Sequence, residues 1–328
     1  MISVRPTASG DLPGLSALFA SRFGHPLAPE EWTWKYRRLP GVARSLVAVD
    51  AAGEVVAHAG ALRLAARWHG GEGGIWQLVD FVGRAAGRGL RPALVQLGRR
   101  LLADLPADGE APWIFGFPSE RHFRLGERVF GYRPLLTLPQ LAGLLPEPPP
   151  RPHAAVTAAP AITGGGDPGQ ETGLWSGDSC GDWAEAVWVR CAVLGVRRSA
   201  AFLNWRYWAR PQRYYHFYRL RQGGVEGLAV FAFVGAEAWA TELWLPPAGE
   251  WYSPMLAIAA DLRTAGLRSW RFWPPPESLD AAGLLARLGI HPDGEPRFVG
   301  CRGAAQGRID PVAAAGGFYY AMGDHDLA

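Results

Sequence analysis

Residues 81–102 read FVGRAAGRGLRPALVQLGRRLL: the end of an apolar strand, a glycine-punctuated turn, and an amphipathic helix. Leu90, Leu94, Leu97, Leu101 and Leu102 recur at helical spacing, and Arg84, Gly87 and Gly89 give R-x-x-G-x-G at the turn. A turn of this kind leaves backbone N–H groups at a helix N-terminus without partners, and the helix dipole adds partial positive charge there. Such an end suits an anion of pyrophosphate type. Glycine serves because a Cβ would block close approach or forbid a positive φ. Arg84, Arg88 and Arg91 add charge around the turn. Glycine makes up 42 of 328 residues, so the spacing alone also fits a plain strand-to-helix turn. No G-x-G-x-x-G and no terminal G-K-[ST] is present in the stretch, which disfavours dinucleotide and triphosphatase sites.

The neighbouring segments give the turn a context. ISVRPTASGDLPGLSALF predicts a first strand and helix, with Asp11 placed to cap the helix before Leu12. SLVAVDAAGEVVAHAGALRLAARW predicts alternating strands joined at Ala52-Gly53, and APWIFGFPSERHFRLGERVFGYRPL predicts a strand, a short helix and a closing strand. With WTWKYRRLP at 32–40, these segments resemble the GNAT superfamily of N-acetyltransferases, and within it the W-K-Y subgroup that includes Eis-like enzymes. The resemblance covers roughly residues 2–145.

The second half repeats the first. Trp34-Lys35-Tyr36 with Pro40 recurs as Trp205-Arg206-Tyr207 with Pro211; strand, glycine turn and strand follow each; ERVFGYRP at 127–134 matches ARLGIHP at 286–292. At the place of the cofactor turn, however, the second copy has Pro246-Pro247 and only Gly249. Proline has no N–H for a phosphate. The expected organisation is α/β (α+β), with two GNAT-like domains, each a mixed, mostly antiparallel central sheet flanked by helices. Residues 1–145 would form an acyl-CoA-binding catalytic domain, 146–173 a Pro/Gly-rich linker, and 174–328 a degenerate copy without CoA binding.

Composition narrows the function classes. A net charge of +3 is too mild to imply nucleic acid and compatible with a polyanionic cofactor. Lys35 is the only lysine among 33 basic residues, a bias expected from a GC-rich genome. Cys180, Cys191 and Cys301 have neither zinc nor disulfide spacing, so a metal-free, reduced, cytoplasmic protein without a membrane span is expected. The 15 tryptophans suit core or domain-interface packing.

The resemblance implies acetyl-CoA or another acyl-CoA as co-substrate. It also implies backbone contacts from Phe81 and Val82 to the pantetheine, and from Arg84, Gly87, Arg88, Gly89 and Leu90 to the pyrophosphate. Asp80 is the candidate base, being a carboxylate inside an apolar strand where burial favours the neutral acid. The same residue also fits a core ion pair or a backbone cap. The tyrosine expected as general acid is replaced by Glu127, and Tyr132 reads as packing. His122, beyond the Phe117-Pro118-Ser119 turn, stands near the expected active-site mouth. Asp324-His325-Asp326 reads as a tail rather than a metal tripod. The two W-[KR]-Y triplets read as structural, their aromatics on the sheet and their cations reaching a carboxylate or carbonyl, so that Lys35→Arg would be tolerated. The acceptor would be the amine of a small molecule or peptide, and a homo-oligomer is a further expectation. Rival readings are a non-catalytic acyl-CoA-binding sensor and a Fem-type aminoacyl transferase.

Overall fold

The computed structural model describes residues 2–68, 71–84, 89–105, 113–147, 172–174, 179–191, 194–212, 214–222, 224–246, 249–273, 281–295, 297–302, 318–319 and 321–322. Most of the expected linker, Gly87 and Arg88 of the turn, and the Asp324-His325-Asp326 tail lie outside them. The chain forms two compact units.

The first unit comprises the described residues of Met1–Thr137, Ala209–Pro211 and Phe298–Val312. Its elements are β1 (Ser3–Pro6), α1 (Leu12–Phe23), α2 (Pro29–Arg37), β2 (Val42–Val49), β3 (Val55–Trp68), β4 (Gly71–Gly83), α3 (Leu90–Ala103), β5 (Ile114–Gly116), α4 (Glu120–Phe130) and β6 (Arg133–Leu138). Helix α1 buries Leu15, Leu18 and Phe19 at helical spacing and stops at Gly24, whose φ of 81° is left-handed. Asp11 does not cap it. Its carboxylate turns back to accept from the Ala8 N–H at 2.8 Å and from both Arg5 guanidinium nitrogens at 2.6 and 2.7 Å. A charged fork competes better for the carboxylate than a helix amide does. Helix α2 starts on Pro29 with Glu30 and Glu31 and ends with Lys35 and Arg37, as the dipole favours. Strands β2 and β3 join through a turn at Gly53, φ 83°, where the Asp50 carboxylate accepts from Ala52 and Glu54 N–H. Helix α3 sends Ala93, Leu97 and Leu101 onto the core of β2, β3 and β4.

The second unit comprises the described residues of Leu138–Trp208, Gln212–Arg297 and Ala313–Ala328. It contains β7 (Leu141–Leu144), β8 (Thr172–Leu174), α5 (Asp182–Cys191), β9 (Leu194–Val196), α6 (Ala200–Leu203), a π-helical turn (Asn204–Trp208), β10 (Tyr215–Gln222), β11 (Val225–Val234), β12 (Glu237–Trp244), α7 (Tyr252–Thr264), β13 (Ser269–Phe272), α8 (Ala281–Arg287) and β14 (His291–Pro292). Strand β15 (Arg297–Arg302) returns to the first unit's sheet, and β16 (Phe318–Tyr319) pairs in parallel with β9. Met255, Ile258, Ala259 and Leu262 of α7 fill the core against Trp270, Phe272, Phe231 and Leu220.

The two sheets repeat one topology. In the first the order is β1-β2-β3-β4-β5-β15-β6, with β4 and β5 parallel and β15 antiparallel to β5. In the second it is β14-β7-β13-β12-β11-β10-β8, with β12 and β13 parallel and β7 antiparallel to β13. These are mixed sheets flanked by helices in an α/β chain. A serial division at 145 and 174 does not describe the units, because each takes the strand beyond its parallel pair from the other half of the sequence. Pro139 shows why the chain leaves the first sheet there: without an N–H it cannot continue the β6 ladder. Of the tryptophans, Trp34, Trp76, Trp188, Trp244 and Trp270 are fully buried core residues. Cys180 and Cys191 are buried free thiols whose pKa burial pushes up to about 12, as expected of inert core residues.

Candidate functional site

Strands β4 and β5 pair only at Trp76–Leu78 with Ile114–Gly116, after which β4 runs on to Gly83 without β5 beside it. On its other edge β4 stays on β3, but the register shifts between His58 and Gly60. This is a β-bulge, and it centres on Asp80, which has a φ of 52°. Arg84 N–H donates to the Val56 carbonyl on β3 at 3.0 Å. Amide direction alternates along a strand, so Val82, two residues earlier, also faces β3. Gly83, between them, then turns its N–H to the side that β5 has left.

The glycine turn opens onto the same region. Gly89 is the α3 N-cap with φ 78°, and no side chain caps the helix. Ala93 N–H is the first to bond back, to the Gly89 carbonyl, and Pro92 has no N–H, so Leu90 and Arg91 carry the donors without intrahelical partners. The Arg84 side chain is engaged elsewhere, 2.5 Å from Glu54 and 3.6 Å from Asp50. Its backbone and its charge are both in use within the sheet and its hairpin. Gly87 and Arg88 lie outside the described residues.

Asp80 is not a free carboxylate. Lys35 Nζ lies 3.0 and 3.1 Å from its two oxygens, and the Tyr36 hydroxyl donates to Oδ2 at 2.6 Å. The Lys35 and Asp80 side chains are 4% and 6% exposed. The Asp80 carbonyl accepts from His58 Nδ1 at 3.0 Å, so Nε2 is the acceptor for the Ser45 hydroxyl at 2.8 Å, and Ser45 in turn accepts from Thr7 at 2.7 Å. His58 is fully buried, and desolvation lowers its pKa, which keeps the imidazole neutral. Gly60 makes room for this arrangement, since a Cβ there would sit 2.1 Å from the Tyr36 hydroxyl. The bulge residue is thus fixed through its carboxylate by α2 and through its carbonyl by β3. The single lysine of the chain is the cation of that anchor.

The second unit repeats the device with other residues. Tyr207 of the W-R-Y triplet donates to Glu242 at 2.8 Å, beside the β11–β12 register shift at Val230/Phe231, and Arg198 Nε lies 3.1 Å from the same carboxylate oxygen. There the strand edge beyond the parallel pair is occupied by the chain itself. Strands β12 and β13 pair only over Glu237–Trp239 with Ser269–Arg271, and beyond them the Leu243 N–H donates to the Tyr319 hydroxyl at 3.1 Å. Tyr319 in turn donates to Glu242 Oε2 at 2.9 Å. The helix-start region is also filled. Trp251 Nε1 donates to the Pro246 carbonyl at 2.8 Å, and its indole lies where a Cβ on Gly249 would fall.

His122 follows the N-cap Ser119 on α4, its ring stacked on Phe81 with centroids 4.4 Å apart and planes 22° from parallel. Burial pulls its pKa down to about 4. Tyr132 is a packing residue, buried against Gly126, and Glu127, at the position where an acid was expected, is exposed. Among the described residues no helix is long and apolar enough to cross a membrane.

No family model matches the chain, and no curated protein matches it in sequence. Solved structures do match. A conserved protein of Enterococcus faecalis V583 superposes with a TM-score of 0.59 at 13% identity, covering 93% of this chain and 73% of that one. A GCN5-related N-acetyltransferase from Kribbella flavida gives 0.57 at 15% identity, covering 96% and 73%. Another from Anabaena variabilis gives 0.58 at 10%, covering 92% and 72%. The chain has the fold of the GCN5-related N-acetyltransferases.

Proposed function

We propose that the first unit binds an acyl-CoA, most simply acetyl-CoA, and transfers its acyl group to the amine of a small molecule or peptide. The observation that carries this reading is the edge of β4 beyond Leu78. It is a strand paired on one side with β3, released on the other and bulged at Asp80, beside an uncapped helix start, and in this reading Phe81 N–H and Gly83 N–H turn to the released side. Donors fixed in this way can polarise a thioester carbonyl and hold the extended arm of the donor without reorganising. Gly89, Leu90 and Arg91 would take the pyrophosphate.

In this reading Asp80 positions rather than reacts. Its oxygens are already engaged by the Lys35 ammonium and the Tyr36 hydroxyl rather than left open to an incoming amine. Its part is to keep Phe81 N–H aimed at the acyl oxygen. The second unit would bind no CoA, because Tyr319 and Trp251 occupy the equivalent donors and space. The fold of the neighbours supports acyl transfer in general, and a cytoplasmic location remains part of the proposal.

The test is acetyl-CoA binding by calorimetry on the full chain, comparing the parent with Gly89→Glu and Gly89→Asn. At φ 78° both substitutions are strained, with Asn tolerating the left-handed region better. Glu adds a negative charge at the pyrophosphate. Loss of affinity by at least about tenfold in the Glu variant, well beyond that in the Asn variant, is expected. Equal affinity in a folded Glu variant would place the anion elsewhere.

A further inference from the structure

His122 Nε2 is buried and has no hydrogen-bond partner among the described residues. An imidazole nitrogen left without a partner costs free energy unless a ligand completes it. The surroundings say where that ligand would lie. The ring is stacked on Phe81, which follows Asp80 in the bulge, on the stretch of β4 that β5 has left. Phe130 approaches Phe81 edge-on with centroids 6.1 Å apart, and Tyr132 flanks the imidazole at 6.0 Å. The enclosure is therefore aromatic. Its one titratable side chain in ring contact with His122 is Tyr132, on which Arg302 acts from β15.

We propose that His122 is a catalytic residue of this site, with Nε2 against the sulfur end of the acyl donor as the proton carrier of the reaction. The proposal rests on the acyl-CoA reading of the first unit. As the acceptor nitrogen bonds to the thioester carbon, it must lose one proton, and as the C–S bond breaks, the sulfur must gain one. His122 takes the first on Nε2 and delivers it to sulfur, returning to its neutral form. The products are an amide and a free thiol, and no other reactant is consumed. Burial holds the resting imidazole neutral, with its pKa down at about 4, so it receives a proton only when a charge forms beside it. Glu127 is exposed and makes no ring contact with this enclosure.

The experiment uses the full chain labelled with ¹⁵N at histidine, with His122→Gln to assign the resonance. The protein is titrated with CoA and, separately, with desulfo-CoA, which lacks only the sulfur. With CoA, the His122 Nε2 resonance should shift on binding, and with desulfo-CoA it should not, because at the pH where this imidazole titrates the CoA sulfur is a neutral thiol whose S–H alone can donate to Nε2. Acetyl-CoA turnover should fall at least about a hundredfold in His122→Gln with CoA affinity unchanged. Identical His122 responses to the two ligands, or full turnover in the folded variant, would overturn the proposal. Calorimetric binding with an unmoved His122 defeats this inference and leaves the acyl-CoA reading standing. Binding of neither ligand defeats both.

Discussion

Replacing Lys35 by Met removes one charge from a buried pair and little else, since the methylene stem stays. At 3.0 Å the attraction is about 5–6 kcal/mol in an effective dielectric of about 20. Desolvating two ions costs several kcal/mol each, so the intact pair adds little net stability. What matters is the stranded partner. Without Nζ, the Asp80 carboxylate keeps only the Tyr36 hydroxyl while 6% exposed, and breaking a pair of this kind costs about 3–5 kcal/mol. Asp80→Asn removes the carboxylate charge from the same pair and should also lower stability. The double variant Lys35→Met/Asp80→Asn leaves no buried charge and should recover much of the loss, a coupling of roughly 2–3 kcal/mol. Urea unfolding of the full chain gives the overall cost. Hydrogen exchange of peptides from α2 and β4 assigns it to the first unit. Acetyl-CoA turnover should fall in both single variants and return in part with the double. A fully stable Asp80→Asn protein with turnover lost would refute the anchoring role and restore Asp80 as a base. Two single losses that simply add would refute the pair.

Other outcomes are equally specific. Lys35→Arg must place a guanidinium where a single ammonium meets both oxygens in a site 3% exposed, so it should destabilise by about 1–3 kcal/mol in the same urea assay. Tyr319→Phe removes the hydroxyl from Leu243 N–H and Glu242, and should lower stability by about 1–3 kcal/mol in thermal unfolding without adding a second CoA site. The folded pKa of His122 is depressed from 6.5 to about 4, so between those pH values the unfolded chain binds the extra proton and stability falls as pH falls. The loss approaches about 3 kcal/mol near pH 4, and His122→Phe should flatten that part of the urea-midpoint profile. Residues 1–145 expressed alone lack β15, leaving β5 an open edge, and should show faster amide exchange in β5 than the full chain does.

The alternation in residues 45–68, the glycine turn and the leucine spacing behind it were enough to place β2, β3, β4 and α3, because local pattern and final burial agree there. The repeat was legible from Trp34-Lys35-Tyr36 and Trp205-Arg206-Tyr207. Its purpose was not, since which carboxylate each tyrosine meets depends on contacts 44 and 35 residues away. The exchanged strands escape sequence reasoning for a physical reason. Leu141–Leu144 and Arg297–Arg302 each look like a closing strand for the nearest sheet, and nothing local to either segment says which parallel pair it will cover. Asp80 was legible as a buried carboxylate, but burial alone does not name a neighbour, so the meeting of Lys35, Tyr36 and His58 at this residue was not.

The central claim is one donor site per chain, built on β4 and the α3 start and absent from the second unit. Calorimetric titration of the full chain with acetyl-CoA measures it directly. One molecule bound per chain, with affinity falling at least about tenfold in Gly89→Glu and unchanged in Tyr319→Phe, is the predicted result. Two molecules bound per chain, or binding indifferent to Gly89→Glu in a folded protein, would contradict it.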